Sequence, residues 1–346
     1  MEGERIERIA VVAPMLNEAR HVENLAADLA AQDFAGEVAC FVADGGSRDG
    51  SPRLLREAAE RHGLDLTLLE NPGRIAATGL NVAIRAALEW KPDLVVRLDC
   101  HSRYRSDYLR QAARVAEETG AWNVGGQVVP RGETRAQRAA AVSQTSPFGG
   151  ANWTRASGRH EADTVYCGAF RPWVFERVGL YDEELPVGEV EDLNHRLRGA
   201  GGRIVYDPAM VVEYLPRETV RSTFVQYYRY GLWKAAVTAK HRRFLSARSS
   251  APLVLVLGGA ALGIAGARSR AARRVFAAGA SGYAAAAFVF ASRAVRLNDE
   301  DPALAPRVAL YFPAYHLAHG LGGIHGWARV ARRALSGARG PRRSAP

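Results

Sequence analysis

The sequence predicts an α/β protein: an open, Rossmann-like parallel sheet followed by a C-terminal helical membrane region. Three observations predict it. Apolar, β-branched runs alternate with helix-period segments through the first hundred residues, the pattern of βαβ units. Each run ends in a turn of Asp, Asn or Gly. Beyond His241, Ala251–Ala267 and Val275–Ser292 are free of charge and Val308–Trp327 carries only histidines.

The elements follow in order. Ile9–Ala13 is the expected first strand, broken at Pro14 and continuing into Asn17 and Glu18. Val22, Leu25 and Leu29 recur at helical spacing within His21–Ala31. Val38–Ala43 is a second strand and enters a turn from Asp44 through Asp49 to Gly50. Pro52 suits the first turn of a helix reaching His62. Leu64–Leu69 is a third strand, Asn71-Pro72-Gly73 a turn, and Ala76–Trp90 a helix. Leu94–Leu98 reads as a buried fourth strand that runs into Asp99, Cys100 and His101. A loop-rich stretch then extends to about Asp163, with a further strand at Val165–Phe170. Gly188–Arg198 starts a helix with Glu189, Glu191 and Asp192, which complement the helix dipole.

Hydrophobic residues make up 48% of the 346 and charged residues 24%, so a packed core is expected. The net charge of +10 suits phosphates or an anionic membrane surface. No nucleic-acid motif with interleaved aromatics accompanies it, so no nucleic-acid partner is expected. Cys40, Cys100 and Cys167 lie far apart without metal-ligand spacing and read as packing residues.

Asn17-Glu18, Asp44 with Asp49, and Asp99 with His101 close three strands, and in a doubly wound sheet those ends share one edge. That edge suits a nucleotide: carboxylates or amides for base and ribose, and a metal for the diphosphate. A carboxylate and an imidazole two residues apart can both reach one divalent ion. No G-x-G-x-x-G follows the first strand and no G-x-x-x-x-G-K-[ST] occurs, against a dinucleotide dehydrogenase and a P-loop enzyme.

VAPMLNEA, VADGGSRDG, NPGRIAATGLN, VVRLDCHS and VYCGAFRPWVFERVGLYDEEL, in that order, resemble family 2 glycosyltransferases of the GT-A fold. The resemblance is greatest to membrane-associated exopolysaccharide enzymes of the succinoglycan-glucosyltransferase type and runs from about Arg8 to Lys234. It implies that Ala13, Pro14 and Glu18 border the uridine of a UDP-sugar, that Asp44 holds the uracil, and that Arg74 and Asn81 flank the phosphates. Asp99 and His101 match the family's D-x-D, often D-x-H in this branch, which binds Mn²⁺ or Mg²⁺ on the donor diphosphate. Gln226, Arg229 and Tyr230 resemble the Q-x-x-R-W box on the acceptor side, with Tyr for Trp. The Gly188 segment supplies the family's catalytic base. Here the sequence departs from the pattern: the base Asp position holds Val190. Glu191 is adjacent, and its longer side chain makes it the expected base, with Asp192 and Glu189 as the other acidic groups.

The expected organisation is a GT-A domain over residues 1–240 and a membrane-associated helical region over 241–346, with two to three apolar segments. The expected activity is inverting, metal-dependent transfer from a nucleotide sugar to a lipid-linked saccharide or polysaccharide at the cytoplasmic membrane face. The alternative is an inactive nucleotide-binding membrane scaffold of the same fold, motivated by Val190.

Overall fold

The computed structural model describes residues 5–149, 158–242 and 247–337. Part of the loop-rich stretch expected before Asp163, residues 150–157, lies outside them. The chain forms two compact units: Met1–Arg131 with Asn152–Leu215, and Gly132–Ala151 with Pro216–Pro346.

In the first unit β1 (Arg8–Met15), α1 (Val22–Ala30), β2 (Glu37–Asp44), α2 (Ser51–His62), β3 (Leu66–Glu70), α3 (Ala76–Glu89) and β4 (Leu94–Arg97) alternate as the periodicity predicts. β5 (Ser102–Tyr104), α4 (Tyr108–Thr119) and β6 (Asn123–Pro130) follow. The chain then passes through α5 (Arg135–Thr145) of the other unit. It resumes with β7 (His160–Glu161), β8 (Ala169–Phe170), α6 (Trp173–Val178), α7 (Glu189–Gly199) and β9 (Ile204–Tyr214).

The sheet order is β3-β2-β1-β4-β8-β6-β9-β5, with β7 on β9. The half containing β1 to β4 is parallel, as expected. The other half is mixed: β8 runs antiparallel to both β4 and β6, and β5 and β7 run antiparallel to β9. The expected strand at Val165–Phe170 shrinks to the two residues of β8, too short to show a period.

Both faces of the sheet are covered, which is why β1 and β4 are apolar without alternation. Val11 and Val96 pack beneath Leu25, Leu55 and Leu109, while Val12 and Val95 pack beneath Leu80, Phe175 and Leu193. Chain order reverses direction between β1 and β4, so a crevice opens beyond their carboxyl ends.

The second unit is helical: α5 with α8 (Val220–Lys240), α9 (Ala247–Gly266), α10 (Arg270–Leu297) and α11 (Ala305–Gly337). Its core joins Ala139, Ala140 and Val142 of α5 to Ala291 and Val295 of α10 and to Val308, Phe312 and Tyr315 of α11. α8 and α11 touch backbone to backbone, and a methyl at Gly322 would meet the Tyr228 carbonyl at 2.0 Å. α8 thus packs with the C-terminal helices, so the C-terminal part of this unit starts at Pro216, ahead of the composition change near residue 240.

Two of the expected apolar segments coincide with helices long and apolar enough to cross a membrane, Ser249–Gly266 and Arg270–Leu297. Only 6% and 11% of their apolar windows are buried, and Val254, Leu257, Ile264 and Val289 are exposed. The third segment lies in α11, where Val308, Tyr311, Phe312 and Tyr315 are buried.

Candidate active site

The loop after β1 is stitched to the loop after β2. Asn17 sits at φ 57°, a left-handed conformation that Asn tolerates better than most residues. Its N–H donates to Ser47 Oγ at 2.7 Å, and its Oδ1 accepts from the Arg48 N–H at 2.9 Å. The N–H groups of Glu18 and Ala19 donate to Ser51 Oγ and Asp49 Oδ2, at 2.8 and 2.9 Å. Asp44 turns its carboxylate onto its own loop, accepting from the Gly46 and Ser47 N–H groups and the Ser47 hydroxyl.

Arg74 joins this edge, since a methyl at Gly46 would lie 3.5 Å from its Nη1. Pro14 abuts the turn after β4 through its carbonyl, 3.6 Å from Cys100 Sγ, and Ala13 beside it is buried. The structure therefore brings Ala13, Pro14, Glu18, Asp44 and Arg74 to the carboxyl edge.

Asn81 departs from the expected position against the phosphates. It is 2% exposed, and its Nδ2 donates to the Tyr181 carbonyl (2.9 Å) and Glu183 Oε1 (2.8 Å). Its Oδ1 accepts from the Tyr181 N–H at 2.9 Å. The amide clamps the Tyr181–Glu183 turn a hundred residues away in sequence. Asn81→Ala is expected to cost about 1–3 kcal/mol, by leaving buried backbone groups unpaired. Thermal melts check this.

The centre of the edge is Asp99. Its Oδ1 accepts from Arg97 Nε and Nη2 at 3.3 and 3.2 Å, and its Oδ2 from the Tyr166 hydroxyl at 2.7 Å. The Asp99 N–H donates to the Tyr104 hydroxyl at 2.7 Å, which fixes the backbone. Burial works against the charged carboxylate. The Arg97 guanidinium, His101 and the Tyr166 hydroxyl outweigh it and hold Asp99 below its ordinary pKa. His101 places Nδ1 3.2 Å from Glu18 Oε1, so the two loops meet there. Burial pushes the Cys100 and Cys167 thiols up, in keeping with packing residues.

Among the described residues no group of three or more His, Cys, Asp or Glu could enclose a metal. One carboxylate and one imidazole at an open edge instead suit a hard divalent ion that takes its remaining oxygens from a phosphate substrate and water.

The three acidic residues of α7 separate. Gly188, at φ 92°, lets the chain turn into the helix. Glu189 follows, 8% exposed, and its Oε1 accepts from Arg97 Nη1 at 3.3 Å. Asp192 is fully buried and accepts from Arg196 Nε at 2.9 Å; Arg196 in turn reaches the Leu180 carbonyl at 2.7 Å. Asp192 thus anchors the end of α6. Glu191 stands about 200° around the helix from Glu189. Sequence reasoning favours Glu191; in the structure Arg97 joins Glu189 to Asp99.

Sequence reading missed Arg97, Tyr104 and Tyr166. Arg97 carried a signal, a lone charge inside an otherwise apolar buried strand.

Gln226, Arg229 and Tyr230 lie on α8, in the second unit. Gln226 Nε2 donates to the Tyr230 hydroxyl one turn on, at 2.9 Å, and Arg229 is exposed. The same unit holds a cavity of about 510 Å³ lined by Phe148, Tyr227, Pro252, Leu255, Tyr283 and His316, among others.

Residues 10–172 match the family described as Glycosyl transferase family 2. The succinoglycan biosynthesis protein ExoA of Rhizobium meliloti (strain 1021) is 33% identical over 247 residues, 71% of this chain and 74% of that protein. The chain belongs to glycosyltransferase family 2. A Methanococcus voltae dolichyl N-acetyl-α-D-glucosaminyl phosphate 3-β-D-2,3-diacetamido-2,3-dideoxy-β-D-glucuronosyltransferase is 22% identical over 241 residues, 67% of this chain and 74% of that one. The solved mannosyltransferase PcManGT from Pyrobaculum calidifontis, in complex with GDP-Man and Mn²⁺, superposes with a TM-score of 0.63 at 22% identity. That match covers 93% of this chain and 88% of the other, and shows the GT-A fold. This family 2 chain is therefore a glycosyltransferase.

Proposed function

We propose that the chain is an inverting, metal-dependent transferase. It moves a sugar from a UDP-sugar to a lipid-linked saccharide or growing polysaccharide at the cytoplasmic membrane face. The observation that carries this reading is the Asp99–Arg97–Glu189 constellation at the switch point of the sheet.

Asp99 and His101 would hold Mn²⁺ or Mg²⁺. Such an ion, when bound, offsets the charge on the leaving diphosphate. Ala13, Pro14, Glu18, Asp44 and Arg74 border the nucleotide. Glu189 takes the proton of the acceptor hydroxyl, on the side of the sugar away from the diphosphate. On this reading Glu189 supplies the carboxylate that position 190 lacks.

The two relatives support the acceptor class. One is named for succinoglycan biosynthesis and the other for a dolichyl-linked substrate. The aromatic-lined cavity of the second unit falls within the ligand-pocket range of about 300–1,000 Å³ and suits the apolar part of such an acceptor. Gln226, Arg229 and Tyr230 are assigned to the acceptor side on the motif.

The test is a donor screen in membranes that reads UDP release with and without a lipid-linked acceptor. Acceptor-dependent release from one UDP-sugar is expected; no release from any nucleotide sugar would overturn the reading. The full chain is also expected to stay with membranes in high salt, which screens surface charge but leaves apolar insertion intact. Fractionation checks this, and recovery in the soluble phase without detergent would sink the membrane assignment.

A further inference from the structure

Asp99 and Glu189 come from elements ninety residues apart, yet each side chain is only 12% and 11% exposed in one shared site. A single guanidinium separates them. Arg97 gives Nε and Nη2 to Asp99 Oδ1 at 3.3 and 3.2 Å, and Nη1 to Glu189 Oε1 at 3.3 Å.

That guanidinium is itself held firmly. Arg97 ends β4, inside the sheet between β1 and β8, and its N–H donates to the Gly168 carbonyl at 3.0 Å. The Tyr181 ring lies 5.9 Å from its Cζ, and Tyr181 is fixed on both backbone sides by Asn81. The planar fork has fixed donor directions, so a guanidinium anchored on one carboxylate dictates where the other can sit.

We propose that Arg97 is a positioning residue that acts through Glu189, fixing the base carboxylate against the Asp99 side of the site. The proposal rests on the reading of Glu189 as the base. Arg97 touches neither sugar nor acceptor in this account; it sets the place of the group that does. A lysine cannot substitute, because one ammonium on a flexible stem does not span two carboxylates with fixed angles. The rival account is a buried ion triad that serves stability alone.

A double-mutant cycle in the full membrane-bound chain separates the two. Arg97→Met, Glu189→Gln and the double variant are compared by kcat, with UDP binding and a thermal melt to confirm folding. Groups that act through one another are non-additive, and independent ones multiply. Arg97→Met is expected to lower kcat by about 10–100-fold when Glu189 is present and by less than about threefold when residue 189 is Gln. Arg97→Lys is expected to fold and to recover only part of the loss.

Equal factors in both backgrounds overturn the proposal, and so does a fully active Arg97→Lys. If Arg97→Met does not bind UDP, Arg97→Lys is carried through the same cycle with the same criterion. A near-wild-type Glu189→Gln defeats the base reading itself, an outcome distinct from additivity in the cycle.

Discussion

Glu189→Gln is expected to lower turnover by about 10²–10⁴-fold, the usual worth of a positioned general base. The amide has the carboxylate's shape and keeps an oxygen for Arg97 Nη1, so the fold and the nucleotide edge are expected to survive. What is lost is the capacity to take the acceptor's proton. Turnover in membranes and UDP affinity measured side by side check this: kcat falls while affinity is retained. The neighbours are the controls. Glu191→Gln is expected near wild type. Asp192→Asn is expected to lower the melting temperature before it lowers kcat, since it pairs with Arg196 of α7, which reaches the Leu180 carbonyl just past α6. A dead Glu191→Gln beside an active Glu189→Gln would restore the reading that the sequence alone favours.

The second large effect is at Asp99. EDTA is expected to abolish transfer, and Mn²⁺ or Mg²⁺ to restore it. Asp99→Asn is expected to weaken donor binding and to lower transfer by about 10²-fold or more, the scale of losing a charged contact made in the transition state. It also leaves Arg97 with one carboxylate where it had two. The folded-state pKa of Asp99 is below its ordinary value. Its contribution to stability is therefore present above the unfolded carboxyl's pKa and disappears as pH falls through the folded value. The stability gap between wild type and Asp99→Asn is expected to be full at neutral pH and to close in acid, read by melts across pH. Full transfer by Asp99→Asn in saturating EDTA would rule out the metal role.

Much of the first unit is legible in the sequence because its signals are local. β1, β2 and β4 are apolar runs closed by turn residues, so the strands and the edge they share can be placed from neighbours in the chain. Asp99, His101, Glu18 and Asp44 follow directly, since each ends or follows a strand. Other features depend on distant partners. Asn81 looks like a site residue until Tyr181 is found against it. The choice among Glu189, Glu191 and Asp192 turns on helical phase about α7, which the packing of Leu193 and Leu197 sets and a motif register does not. β8 is too short to have a period, and Arg97 hides in a run read as apolar. The membership of α5 and α8 in the helical unit is invisible locally, because the Tyr311 hydroxyl donates to the Ala136 carbonyl across 175 residues.

That last separation sets an order of events during synthesis. α5 leaves the ribosome with Ala139, Ala140 and Val142 ready to pack, but the α11 residues that cover them come about 170 residues later. At ~5–20 residues per second the nascent helix waits on the order of 10–35 s with its apolar side uncovered. A chaperone is the natural shelter for that interval. A fragment cut after Lys240 keeps α5 and never makes its cover, so the wait becomes permanent and aggregation is the expected fate. A soluble catalytic fragment calls for a different cut, one that ends near Leu215 and replaces Gly132–Ala151 with a flexible linker.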